Sequence, residues 1–123
     1  LLSTVVFRCR RAFGTVDSDH LKMTDTRIDA PKMFREMHDI EIENVEINDA
    51  NEVFWRCKNL NIKNLKLHGG TYPFMFSSDI RIDGLESDSK YVFQYVKNVE
   101  LRNAKNHYEG CLLGGGECDN LRF

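Results

Sequence analysis

The stretch KNLNIKNLKL, Lys58 to Leu67, alternates leucine and isoleucine with lysine and asparagine and nearly repeats the phrase Lys-Asn-Leu. Alternation at period two is a strand pattern, because successive side chains of a strand point to opposite faces. The pattern runs through Leu60 and Ile62, slips at the pair Lys63-Asn64, and resumes at Leu65 and Leu67. Two short strands joined at a polar corner fit this slip, and helical spacing does not.

The block recurs as HDIEIENVEI from His38, SDIRIDGLES from Ser78 and KNVELRNAKN from Lys97, so successive starts lie 20, 20 and 19 residues apart. DHLKMTDTRI from Asp19 precedes the series by 19 residues, and a cut-off DNLRF from Asp119 follows it by 22. Between the blocks, phenylalanine returns at Phe13, Phe34, Phe54, Phe74 and Phe93, with Leu113 continuing the series. Each unit therefore reads as two alternating strands, a variable corner and a third short strand that carries the aromatic. A fixed period of about 20 residues is the mark of a solenoid. The expected fold is all-β, a right-handed parallel β-helix of about six coils with three short parallel sheets. Residues 1–123 form one domain, expected to be partial and without terminal caps. Pentapeptide repeats compete for KNLNI and KNLKL, but HGGTYPFMFS does not fit five-residue units.

Stacked coils bring equivalent residues to about 4.8 Å from one another. Leu21, Ile40, Leu60, Ile80, Val99 and Leu121 form one inward ladder, and the phenylalanines form another. Asp39, Asn59, Asp79, Asn98 and Asn120 align at one corner, and Asp25, Asn44, Asn64, Gly84 and Asn103 at the next. These residue types tolerate left-handed backbone and bond to turns through their side chains. Outward rows alternate in sign, as in Arg27, Glu46, Lys66, Glu86 and Lys105, or Glu43, Lys63, Asp83 and Arg102. Like charges opposite one another are destabilising, so the alternation supports the register and marks a solvated face of complementary pairs.

Bulk properties narrow the function classes. Lys and Arg number 17 against 19 Asp and Glu, a formal net charge of -2, so no overall basic field attracts nucleic acid or anionic membrane. No apolar run reaches the roughly 20 residues of a membrane helix. Cys9, Cys57, Cys111 and Cys118 show no zinc spacing, and no metal or cofactor is expected. Buried free thiols are the leading reading, which favours a reducing, cytoplasmic setting, with a secreted, disulfide-bearing fragment as the alternative.

The blocks KNLNIKNLKLHGGTYPFMFSSDIRI and HDIEIENVEINDANEVFWRCKNL resemble the pectin-lyase-like right-handed parallel β-helix proteins, and within them the bacterial domain-of-unknown-function family numbered 3737. The resemblance covers roughly residues 19–121. It implies a longer parent with more coils, of which this chain would be a fragment or a truncated paralogue.

No catalytic residue emerges. Carboxylates alternate with Lys or Arg along their rows, and His20, His38, His68 and His107 fall at corners and loops as solvated turn residues. The Gly114-Gly116 run lacks the Lys-Ser/Thr ending and following helix of a phosphate loop. One cluster offers chemistry: Trp55, Arg56, Tyr72, Met75, Phe76, Gln94 and Tyr95 around the third strand, with Tyr91, Tyr108, Arg35 and Glu36 nearby. If Phe54 and Phe74 point inward, Trp55 and Met75 point outward, and an outward aromatic row suits sugar rings. Mutual stacking, or cover for a loop or neighbouring subunit, is the competing reading of these aromatics. The expected role is a structural or carbohydrate-associated β-helix module that binds polysaccharide without catalysis. A polysaccharide lyase or glycoside hydrolase acting on uronic-acid glycans is the alternative, carried by fold analogy. The apolar stretch LLSTVVF and the terminal DNLRF add an expectation of association through coil ends, as a homo-oligomer or with a missing segment.

Overall fold

The computed structural model describes residues 5–8, 19–106 and 119–122, with side chains from Leu21 to Lys105 and at Arg122. Seven strands follow in order: β1 Val5–Arg8, β2 Asp19–Asp29, β3 His38–Asn48, β4 Lys58–His68, β5 Ser78–Ser87, β6 Lys97–Asn106 and β7 Asp119–Arg122. Each strand pairs in parallel with its neighbours in sequence, and Leu21, Ile40, Leu60, Ile80, Val99 and Leu121 stand in register across the sheet. Parallel neighbours in chain order require the chain to circle back after every strand. The fold is a parallel β-solenoid, and no helix occurs among the described residues.

In β3, Ile40, Ile42, Val45 and Ile47 are buried while Glu41, Glu43 and Asn44 are exposed. The phase slip comes from Asn44, whose φ of 54° lies in the left-handed region. Asp25, Asn64, Gly84 and Asn103 make the same kink on their coils. Side-chain amides knit this corner: Asn44 Nδ2 donates to Asp25 Oδ1 at 3.1 Å, and Asn64 Nδ2 donates to Asn44 Oδ1 at 3.1 Å. Gly84 interrupts the ladder, and Asn103 Nδ2 on the next coil donates to Asp83 Oδ1 at 2.7 Å. The other polar corner is tied likewise, Asn59 Nδ2 donating to Asp39 Oδ1 at 2.6 Å and Asn98 Nδ2 to Asp79 Oδ1 at 2.9 Å.

Two features of the expected architecture change. Instead of three sheets, one sheet bends through the Asn44 corner, and the third side of each coil is a stack of turns. The cause is local: Met33-Phe34, Val53-Phe54, Pro73-Phe74 and Val92-Phe93 are consecutive buried pairs, which a strand cannot bury on one face. Backbone bonds still cross between coils, as from Phe34 N to Val53 O at 2.7 Å and Phe54 N to Pro73 O at 2.7 Å. The coil count also falls. β2 to β6 close four complete described coils, not six, with the short β1 and β7 paired beyond them. The expected positions Phe13, Tyr108, Leu113, Gly114-Gly116, Cys9, Cys111 and Cys118 lie outside the described residues.

The core is the phenylalanine column. Phe34, Phe54, Phe74 and Phe93 are each 0% exposed, and their rings stack at centroid separations of 5.1, 4.9 and 5.4 Å. Cys57 is free and buried, its Sγ against Phe34 O. Burial pushes its thiol up to about 12, which disfavours the nucleophilic thiolate. Ser77 takes the same place one coil on, donating to Phe54 O at 2.6 Å.

The outward charges keep the expected register, but only some of them close into the expected pairs. Arg27 meets Glu46 at 3.3 Å, but Glu43 and Lys63, opposite one another, form no ion pair among the described residues. At exposed positions the Coulomb gain does not repay the ordering of two long side chains. His68 departs from the solvated-turn expectation: its Nε2 lies 2.7 Å from Glu46 Oε2 and its Nδ1 3.9 Å from Asp88 Oδ2. The imidazole thus links carboxylates contributed by the coils on either side of it.

Candidate binding face

Each turn of the third side carries two left-handed positions. They are Lys32 and Glu36, then Glu52 and Arg56, then Tyr72 and Phe76, then Tyr91 and Tyr95, with φ between 50° and 62°. Bulky aromatics at positive φ are outliers, costing on the order of 1–3 kcal/mol each. Stacking offsets part of that. Phe76 and Tyr95 stack at 5.2 Å, and Tyr72 and Tyr91 at 5.5 Å, each such contact contributing roughly 0.5–1.5 kcal/mol. Phe76, Tyr91 and Tyr95 nevertheless remain 43%, 37% and 41% exposed.

Trp55 stands edge-on to Phe76, with ring planes at 84° and centroids 6.1 Å apart. Two guanidinium groups lie over the indole, Arg35 at 4.4 Å and Arg56 at 4.6 Å from its centroid. Of the residues singled out from the sequence, Trp55, Arg56, Phe76 and Tyr95 therefore form one contiguous group. Tyr72 belongs to a separate stacked row with Tyr91, and Met75 and Gln94 are half-buried members of the row that starts at Trp55. Stacked rows turn ring faces toward each other and leave ring edges to solvent. The outward aromatic row is thus a corrugated strip in which mutual stacking, the competing reading, is realised.

A second concavity was not anticipated. Outward residues of the first half of each strand wall a groove of about 470 Å³, among them Glu41, Glu43, Lys63, Arg81 and Asp83. Alternation of sign pointed to a surface of closed pairs; that Glu41, Glu43 and Lys63 stand without partners depends on side-chain reach, which periodicity does not encode. No group of three or more His, Cys, Asp or Glu that could hold a metal occurs among the described residues. No described helix is long and apolar enough to cross a membrane.

Fold and faces together define a parallel β-solenoid with an aromatic, arginine-bearing third side and a charged groove on its first. The chain belongs to the family described as protein of unknown function (DUF3737), which it matches over residues 3–121. No curated protein and no solved structure matches it.

Proposed function

We propose that this solenoid is a non-catalytic, carbohydrate-associated binding module whose contact surface is the third side. The carrying observation is the group Trp55, Arg56, Phe76 and Tyr95, in which Phe76 and Tyr95 occupy left-handed corners and stay substantially exposed beside a half-buried Trp55. Apolar ring edges complement the C–H faces of sugars, and the guanidinium N–H groups supply hydrogen bonds to hydroxyls. A linear chain lying along the solenoid axis would meet a new coil about every 4.8 Å, so weak contacts add up. Calorimetry of the whole chain against a panel of polysaccharides tests this. Binding is expected, with loss in the double variant Phe76→Asn, Tyr95→Asn and no release of reducing sugar. No binding across the panel overturns the reading.

Polysaccharide cleavage is a second reading with one supporting observation. Glu41 and Glu43 both line the groove from alternate positions of β3, where their backbone positions lie about 6.6 Å apart along the strand. A glycosidase needs two carboxyl groups at about 5–9.5 Å. Reducing-sugar release by the native chain, abolished in Glu43→Gln, would move the function to the groove.

A further inference from the structure

The third side changes character along the solenoid axis. Backbone hydrogen bonds between coils, such as Lys32 N to Asn51 O, Glu52 N to Thr71 O and Tyr72 N to Lys90 O, each 3.0 Å, align outer residues in three columns. On the first two coils the columns hold Lys32, Arg35, Glu36, Glu52, Trp55 and Arg56, five of them charged. On the next two they hold Tyr72, Met75, Phe76, Tyr91, Gln94 and Tyr95, none charged and four aromatic. One end thus offers cations and carboxylates, and the other offers rings, phenol hydroxyls and a thioether. We propose that this side docks onto a second copy of the chain, the two solenoids antiparallel about a two-fold axis that lies between the second and third of these coils.

A two-fold contact uses the same patch on both copies, so the patch must complement itself end to end. Such an axis sets each column against its own reverse. Arg56 then meets Phe76 of the second copy and Lys32 meets Tyr91, a cation over a ring in both cases. Glu36 meets Tyr95 and Glu52 meets Tyr72, carboxylates opposite phenol donors. Trp55 meets Met75, a sulfur–aromatic pair, and Arg35 meets Gln94. No like charges meet in the three columns, and at their rim Lys90 meets Pro31. Sliding the axis by one coil toward the charged end would set Glu52 on Glu52 and Arg56 on Arg56, which repulsion disfavours. Sliding it the other way leaves Lys32, Arg35 and Glu36 without a counterpart among the described residues. Within the chain Lys32 engages Glu52 at 3.6 Å, but Glu36 is exposed and has no partner among the described residues. Trp, Tyr, Phe, Met and Arg are also the residues enriched where proteins meet. Four coils span only about 19 Å, so the contact is small beside an obligate interface and the dimer is a weak, reversible one. A glycan on the third side would compete with the second copy, and the pairing does not depend on the carbohydrate reading.

Sedimentation equilibrium of the whole chain without glycan, from about 1 μM to 1 mM, reads the association. A monomer–dimer equilibrium is expected. Tyr95→Glu sets a carboxylate against Glu36 of the second copy and is expected to weaken the dimer about tenfold or more, whereas Tyr95→Lys retains it. Adding Glu36→Lys to Tyr95→Glu turns that repulsion into attraction and is expected to restore the dimer. The combination Glu36→Lys with Tyr95→Lys is expected to weaken it again, and carries the test if Tyr95→Glu fails to fold. A monomer at every concentration overturns the proposal. So does equal loss whichever charge replaces Tyr95, because any bulky contact would give that. Dimers indifferent to all these substitutions place the contact on another surface and overturn it as well. None of these outcomes touches the carbohydrate reading, which the polysaccharide panel tests by itself.

Discussion

The molecule carries aromatic ladders of two kinds, both built on the same coil spacing. Inside, Phe34, Phe54, Phe74 and Phe93 stack at about 5 Å with no exposure; outside, Phe76 and Tyr95 stack at 5.2 Å and remain 43% and 41% exposed. Ring geometry is nearly the same, so the energetic difference lies in solvent. An interior ring adds the transfer of its whole surface out of water, roughly 1.5–3 kcal/mol, and leaves a cavity if removed. An outer ring contributes only its partial burial and the stack, against the cost of a left-handed backbone. Stacking alone does not tell a structural aromatic from a functional one, whereas burial combined with backbone strain does.

Truncating an inner ring gives the largest expected effect. Phe54→Ala removes the partner of both Phe34 and Phe74 and should lower stability by about 3–5 kcal/mol, read by denaturant unfolding or as a failure to fold. A loss no greater than that of an outer-ring truncation would break the comparison.

That inner column could be read from the sequence, because a residue that returns every 20 or so positions between alternating blocks has one physical explanation, a repeated place in a stacked core. The Asn and Asp corners were legible for the same reason, since left-handed geometry selects few residue types. The third-side strand was not. Its alternation was inferred from Phe54 and Trp55, but Val53 is buried beside Phe54, and a turn satisfies both where a strand could satisfy one. At the candidate site, strand alternation led to the expectation that Trp55 and Met75 point outward; both are half-buried, and alternation would have turned Phe76 inward, whereas the turn leaves it 43% exposed. Mutual stacking was among the readings the sequence allowed, and the coil spacing that presses equivalent rings together realises it in the pairs Phe76 with Tyr95 and Tyr72 with Tyr91.

Within the interior, polarity is expected to matter less than volume where a carbonyl is waiting. Cys57→Ser should cost about 1.5 kcal/mol or less, since Ser77 already donates to Phe54 O from the equivalent place. In the native state the Cys57 thiol should resist alkylation and react only on unfolding, as mass spectrometry of iodoacetamide-treated protein would show. Rapid labelling of folded chain would contradict its burial.

Outside, Phe76→Asn sharpens the contrast. Asparagine suits a φ of 62° better than phenylalanine does, so relief of strain offsets the lost stack and the stability change should stay within about 1 kcal/mol. Glycan binding should fall at the same time. A variant as damaged as Phe54→Ala would mean that the outer ladder is structural after all.

The smallest expected effect concerns Glu46. The hydrogen bond from His68 holds its carboxyl below the usual value of 4.5, against the opposing influence of desolvation and with help from the charges of His68 and Arg27. A carboxylate whose folded pKa is lowered binds protons less readily in the native than in the unfolded chain. Its stabilisation is therefore fully present above the unfolded value and is lost as pH falls through the folded one. Native protein should thus lose this contribution on acidification from about pH 5 downward, while Glu46→Gln, which cannot titrate, should show a shallower decline. At neutral pH the two should differ by only a few tenths of a kcal/mol, because both partners are partly solvated and an exposed ion pair is worth little. Unfolding midpoints of the two proteins across this range supply the comparison. Parallel acid profiles would show that the Glu46 and His68 contact contributes nothing, and that even an outer contact of 2.7 Å leaves stability to the core.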